Sequence, residues 1–181
     1  AVIGTVKPSF KAPTALELRH DYLWRIHQHV PPRGEIGVFN RSHYEDVLVV
    51  RVDSLVPRKI WQARYGQINE FEQLLTSNGI CVVKLFLQIS RSEQKRRFEE
   101  RIREPRKQWK FDPADLDKRD KWAAYRSAYE DMLSRCSTRT APWYLVPADR
   151  KWLRDLAVAQ IMLQTLESLP LRFPEPKYNP R

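Results

Sequence analysis

The sequence predicts an α/β fold, a parallel sheet with helices on both faces, and three observations lead there. Apolar runs at Ile36 to Phe39, Ile80 to Ile89 and Trp143 to Val146 are bounded by turn chemistry, namely Pro31-Pro32-Arg33-Gly34, Asn78-Gly79 and Ala141-Pro142. Such short runs read as strands buried on both faces. Between them stand segments with apolar residues at helical spacing, and strands alternating with amphipathic helices argue for βαβ units.

In chain order, the first helical pattern carries Leu16, Leu23 and Ile26. Val47-Leu48-Val49-Val50 has strand composition but follows the run Ile36 to Phe39 too closely for a crossover, so a helix is predicted there. The next helix carries Arg64, Ile68, Phe71 and Leu75. Ser90-Arg91-Ser92-Glu93 has the form of a capping box, opening a helix that runs to about Glu104 and is stopped by Pro105. On that helix Glu93 can pair with Arg97, and Glu99 with Arg103, so its plain reading is a solvated, ion-paired surface. Two further helices carry Trp122, Tyr125, Tyr129 and Met132, then Trp152, Leu156, Ala159, Leu163 and Leu166. The end from Pro170 to Arg181 holds four prolines and is predicted as an extended tail.

The 181 residues fit one domain with a substantial core. Lys and Arg number 32 against 22 Asp and Glu, a net charge of +10, which points to a polyanionic partner: nucleic acid, an acidic membrane or a phosphate-rich substrate. Cys81 and Cys136 form no framework and read as structural residues of a reducing compartment. No apolar stretch approaches the roughly 20 residues that cross a bilayer, and residues 1–11 lack a secretory pattern. A soluble, cytoplasmic protein is expected.

In parallel sheets ligands gather at the carboxyl ends of strands, which would bring Asn40 to Asp46, Ser90 to Arg97 and Pro147 to Lys151 together. The first of these packs Arg41, Ser42, Glu45 and Asp46 directly behind an apolar run. An acidic pair there can hold Mg²⁺, and Arg41 offers a bidentate fork for phosphate. Ser42 and His43 are a poor nucleophile and base, because sequence neighbours rarely achieve the needed hydrogen bond; packing or substrate contact is expected instead. His20-Asp21 is weakened as a pair for a similar reason, since adjacent helical residues point apart. Four scattered histidines offer no zinc spacing. The segment Arg106 to Trp122 interleaves tryptophans with Lys107, Lys110, Arg119 and Lys121, a composition suited to gripping a flexible polyanion or single-stranded nucleic acid, or to pinning a surface hairpin. The five glycines never cluster, so neither GxxxxGK[ST] nor GxGxxG occurs.

The segments SFKAPT (Ser9 to Thr14), HDYLWR (His20 to Arg25), FNRSHYEDVLVVRV (Phe39 to Val52), RYGQINEFE (Arg64 to Glu72), EQKRRFEERIREPRKQWKF (Glu93 to Phe111) and APWYLVPADRKW (Ala141 to Trp152) together resemble the polyphosphate kinase 2 family across nearly the whole chain. The resemblance implies a thymidylate-kinase-like P-loop fold of three layers with a helical lid, at about residues 105–122. It implies Mg²⁺-dependent transfer of phosphate between inorganic polyphosphate and AMP, ADP or ATP, most like the subgroup acting on both AMP and ADP, and a homo-oligomer. It casts FNRSHYED as the Walker B region, with Arg41, Glu45 and Asp46 at the reaction centre, Asp46 as metal ligand, and Asn40, Lys11, Arg97, Arg101, Lys107, Lys110 and Arg119 binding substrate. The family's Walker A segment, of the GxDxxGKxG kind, does not occur in this sequence. Residues 1–8 are read as the helix that would follow it, and the sequence as lacking that N-terminal portion. A basic RNA or single-stranded DNA binding module and an ATP-dependent nucleotide kinase are the alternative readings; neither membrane nor nucleic acid is the expected partner.

Overall fold

Thr5 and Val6 pair in parallel with Ile36 and Gly37, so the helix expected over residues 1–8 is corrected to strand at these two positions. The computed structural model describes residues 5–6, 10, 12–172 and 178. Strand β1 is Thr5–Val6 and β2 is Ile36–Gly37. A Cβ on Gly37 would lie 3.0 Å from the Pro31 ring, so the close approach here suits glycine.

The first predicted helix is instead broken in two. Thr14 and Glu17 cap each other reciprocally, Glu17 Oε2 accepting from the Thr14 amide (2.6 Å) and Thr14 Oγ1 from the Glu17 amide (3.2 Å), and a 3-10 turn follows over Glu17–Arg19. Asp21 Oδ1 then accepts from the amides of Leu23 and Trp24 and starts α1, Trp24–His27. A capping carboxylate in mid-pattern ends one turn and begins another. Another 3-10 turn, His43–Asp46, leads through Val47 and Leu48 into the short α2, Val49–Val52, so the helix expected over Val47 to Val50 starts only at Val49.

Helix α3, Arg58–Ser77, ends on Gly79 at φ +84°, with the Ile80 amide donating to Leu75 C=O and the Gly79 amide to Thr76 C=O. This Schellman arrangement engages Ile80 as the helix cap. Hence the strand expected from Ile80 begins only at Lys84: β3 is Lys84–Gln88. Then come α4, Arg91–Arg103; a 3-10 turn at Gln108–Lys110; α5, Ala114–Asp120; α6, Trp122–Cys136; β4, Trp143–Pro147; and α7, Lys151–Ser168. Among the described residues the strands form two pairs, β1 with β2 and β3 with β4.

The chain divides into two compact units. One comprises the described residues up to Lys84 with Asp112–Trp143 and holds the well-buried core. Its larger cluster joins Tyr44, Val47, Leu48, Tyr65, Ile68, Ala128, Met132 and Cys136, and a second joins Phe10, Ile26, Phe71 and Leu75. Each fully buried aliphatic side chain there stabilises by about 1.5–3 kcal/mol. The other unit, Leu85–Phe111 with the described residues from Tyr144 onward, is built on most of β3 and β4 with α4 and α7. Its short sheet and two helices offer little surface to cover, and Trp152, Leu156 and Leu163 of the α7 stripe remain more than half exposed. Among the described residues no helix is long and apolar enough to cross a membrane. Most of the tail predicted from Pro170 lies outside the described residues.

Candidate active site

Beyond β2 the chain turns at Arg41, which sits at φ +65°. A long side chain in this left-handed region marks a backbone held under strain by its surroundings, a feature that clusters at functional sites. Ser42 then adopts an extended conformation and its Oγ accepts from the Tyr44 amide (3.3 Å), capping the 3-10 turn His43–Asp46. That use of the hydroxyl, together with the burial of His43, agrees with a packing role for the pair. Tyr44, Val47 and Leu48 anchor the turn in the core.

Glu45 and Asp46 end the turn in a cationic corner. Arg64 Nη1 donates both to Asp46 Oδ1 (3.0 Å) and to Asp46 C=O (3.1 Å), while Arg25 Nη2 lies 3.8 Å from Oδ2. Asp46 Oδ2 is buried and accepts no hydrogen bond among the described residues. Burial pushes the Asp46 carboxyl above its ordinary range, and the charges of Arg64 and Arg25 oppose that rise. Glu45 is likewise raised by burial, against the pull of Arg41, 3.9 Å away, and Lys118. Tyr125 and Tyr129 of α6 share this environment; burial pushes Tyr125 up to about 12, and its buried hydroxyl has no hydrogen-bond partner among the described residues. Four cations, Arg25, Arg41, Arg64 and Lys118, thus attend two carboxylates. The surplus of positive charge suits an anion carrying several oxygens.

The remaining predicted site residues are distributed as follows. Asn40 is exposed beside Arg41, Arg119 is half-buried on α5, and Lys11 lies outside the described residues. In the other unit, Arg97 donates to Glu93 Oε1 (2.7 Å) and to Ala148 C=O (2.6 Å). Arg101 lies over the Phe98 ring. Lys107 bridges Glu100 and Glu104, and Lys110 covers the Trp109 ring, whose residue is 78% exposed. The Ser90 cap forms as predicted, with Ser90 Oγ accepting from the Glu93 amide (3.1 Å), but the reciprocal half is replaced: Asp149 Oδ1 accepts from the Ser90 amide (2.7 Å). Ser90 to Arg97 and Pro147 to Lys151 therefore meet as expected, while Asn40 to Asp46 belongs to the first unit. Lys121, one of the charges singled out in the sequence, is tied to Asp53 at 2.5 Å. Asp21 spends its carboxylate on capping and His20 stacks on Trp24, so neither forms an acid–base pair.

Arg25, Arg64 and Lys118 are not among the site residues that the sequence patterns predict, although Arg64 belongs to the second helical pattern. Arg25 ends HDYLWR and Arg64 begins RYGQINEFE, so both stand in the segments that carry the family resemblance. An arginine within an otherwise apolar helical stripe was the available signal.

A polyphosphate kinase 2 family model matches residues 4–173. The chain belongs to the polyphosphate kinase 2 family. It is 50% identical over 174 residues to an AMP/ADP-polyphosphate phosphotransferase of Meiothermus ruber, covering 96% of this chain and 65% of that protein. It is 48% identical over 179 residues to an ADP-polyphosphate phosphotransferase of Rhodopseudomonas palustris, covering 92% and 62% respectively. The crystal structure of polyphosphate kinase 2 from Arthrobacter aurescens TC1 is similar at a TM-score of 0.95 and 43% identity, over 97% of this chain and 62% of that one. The chain thus spans somewhat under two thirds of the length of these relatives. Its α/β architecture with a parallel strand pair is consistent with a P-loop kinase-like fold.

Proposed function

We propose that this polypeptide acts in a Mg²⁺-dependent transfer of a phosphoryl group between inorganic polyphosphate and a nucleotide, with AMP and ADP as acceptors. The observation that carries the reading is the corner at the end of β2: Arg41 held at φ +65°, adjoining Glu45 and Asp46 on a turn anchored in the core. A module that only binds nucleic acid has no use for this strained arginine and half-buried acidic pair. Family membership and the names of the relatives support the substrate class.

Phosphoryl transfer asks little covalent chemistry of the protein; it asks for position and charge. Arg41, with its side chain half exposed, is the group that reaches the transferring phosphoryl and neutralises the charge spread over its oxygens. An acceptor phosphate is already anionic and needs no strong base. Asp46 therefore serves to orient, holding Arg64 and facing Arg25. The fit to Mg²⁺ rests on Asp46 Oδ2, a hard oxygen that accepts no hydrogen bond among the described residues, because Mg²⁺ binds through one or two carboxylates and completes its shell with water and substrate phosphate. Bound there, Mg²⁺ would neutralise phosphate oxygens and orient them for in-line displacement. Asn40 and Arg119 are assigned to substrate contacts in this unit, and Lys11, Arg97, Arg101, Lys107 and Lys110 to the grip on the polyphosphate chain. Residues 105–122 form the lid that excludes water. Incubating the complete protein with Mg²⁺, polyphosphate and AMP or ADP, and following nucleotides over time, tests the reading; formation of ADP or ATP is expected, and unchanged nucleotides contradict it.

A further inference from the structure

Behind the His43–Asp46 turn lies a fully buried ionic cluster that the reaction itself does not use. Glu72 stands on the apolar stripe of α3 with Tyr65, Ile68, Phe71 and Leu75, and Lys84 opens β3; their side chains are 1% and 5% exposed. Lys84 Nζ donates to Glu72 Oε2 (2.6 Å), the Tyr44 hydroxyl (2.9 Å) and Cys136 C=O (2.6 Å), which employs all three ammonium protons. Glu72 Oε1 accepts from the Tyr44 hydroxyl (2.8 Å) and lies 3.3 Å from His43 Nε2. Burial alone would raise the Glu72 carboxyl, but His43 and Lys84 together hold it below its ordinary value.

An ion pair buried only for stability is replaceable by apolar side chains of similar volume, often at no loss. What an apolar pair cannot do is hold two consecutive residues of one turn from a single oxygen. We propose that Glu72 and Lys84 are positioning residues: Glu72, itself fixed by Lys84, locks His43 and Tyr44 and so sets the direction in which Glu45 and Asp46 face the transferring phosphate. A 3-10 turn has three residues per turn, so fixing two successive side chains fixes the rotation of the rest. The functional part of this proposal rests on the phosphotransfer reading above.

The test compares two double variants in the full-length protein, Glu72→Leu/Lys84→Met and Glu72→Gln/Lys84→Met. Both remove the charges, but only the amide keeps an acceptor for Tyr44 and His43. Hydrogen exchange of the amides of residues 44–48 is read against those of α3, alongside kcat and KM for polyphosphate. In the Leu/Met variant the turn amides are expected to exchange at least about tenfold faster while α3 stays protected, and kcat to fall about tenfold to hundredfold at nearly constant KM. The Gln/Met variant should recover most of both. Tyr44→Phe, which deletes one hydroxyl and no charge, should shift exchange and kcat in the same direction by a smaller factor. Turn protection equal to wild type, or lost evenly with α3, in the Leu/Met variant or in Tyr44→Phe overturns the positioning role. A wild-type protein that transfers no phosphate contradicts the proposed function instead, and the exchange measurement still decides whether the cluster positions the turn.

Discussion

Replacing Arg41 separates the backbone strain at the site from the chemistry of its guanidinium. An L-residue in the left-handed region costs about 1–2 kcal/mol, and Arg41 occupies it at φ +65°. Arg41→Ala keeps that conformational cost and removes the 3.9 Å ion pair to Glu45, which, with Arg41 half exposed, contributes about 0.2–1 kcal/mol. Arg41→Gly loses the same ion pair but relieves the strain, at about 0.4–1 kcal/mol of added unfolded-state entropy. The glycine variant should therefore be more stable than the alanine variant by about 0.5–1 kcal/mol, and close to wild type. Urea denaturation of the full-length protein measures the difference. Both variants should lose kcat alike, by about a hundredfold or more, as expected for removal of a preorganised group at developing charge. An alanine variant as stable as glycine refutes the strain; a glycine variant that keeps wild-type kcat refutes the role of the guanidinium.

Asp46→Asn should lower turnover on the order of a hundredfold while changing polyphosphate affinity far less; full turnover at saturating Mg²⁺ would exclude an essential carboxylate. Polyphosphate binding should weaken steeply between about 50 and 200 mM salt through counterion release, and a flat dependence in titrations would rule out a grip by lysine and arginine. Hydrogen bonds from Arg96 and Arg97 hold Glu93 down to about 2. Because the folded value lies below the ordinary 4.5, its contribution is present above that pH and is lost as pH falls toward 2. Glu93→Gln should flatten the pH dependence of stability over that interval, and a denaturation series from neutral to acid pH that matches wild type would disprove the pairing. Burial pushes the Cys136 thiol up to about 11, whereas Cys81 is exposed; a thiol reagent should label Cys81 in the native protein and Cys136 only after unfolding, as peptide mapping would show.

The long helices were legible because their apolar spacing survives into the structure: Ile68, Phe71 and Leu75 on α3, Met132 on α6 and the Ser90 cap of α4 all lie where periodicity puts them. Boundaries decided by a single polar group were not. Asp21 splits the first helix by capping it, and the Schellman turn at Gly79 takes Ile80 away from the following strand. The acidic pair and Arg41 are legible because they crowd behind a strand, and the left-handed backbone at Arg41 is not, since an arginine, unlike a glycine, does not itself signal a positive φ. The pairing of Glu72 with Lys84 is not legible in the sequence because each sits at a core position of an otherwise apolar pattern, where a charge looks like an exception until its partner, distant in sequence, is known. The roles of Arg25 and Arg64 are hidden for the same reason: their shared partner, Asp46, lies 21 and 18 residues away along the chain.

The most direct measurement follows the phosphorus NMR signals of polyphosphate and ADP in the presence of Mg²⁺ and the full-length protein, with Arg41→Ala in parallel. The expected result is ATP γ-phosphate appearing as polyphosphate shortens, one anhydride gained for each one lost, and almost none of this in the variant. Orthophosphate released with ADP unchanged, or equal ATP formation by the variant, would contradict phosphoryl transfer at the Arg41, Glu45 and Asp46 corner.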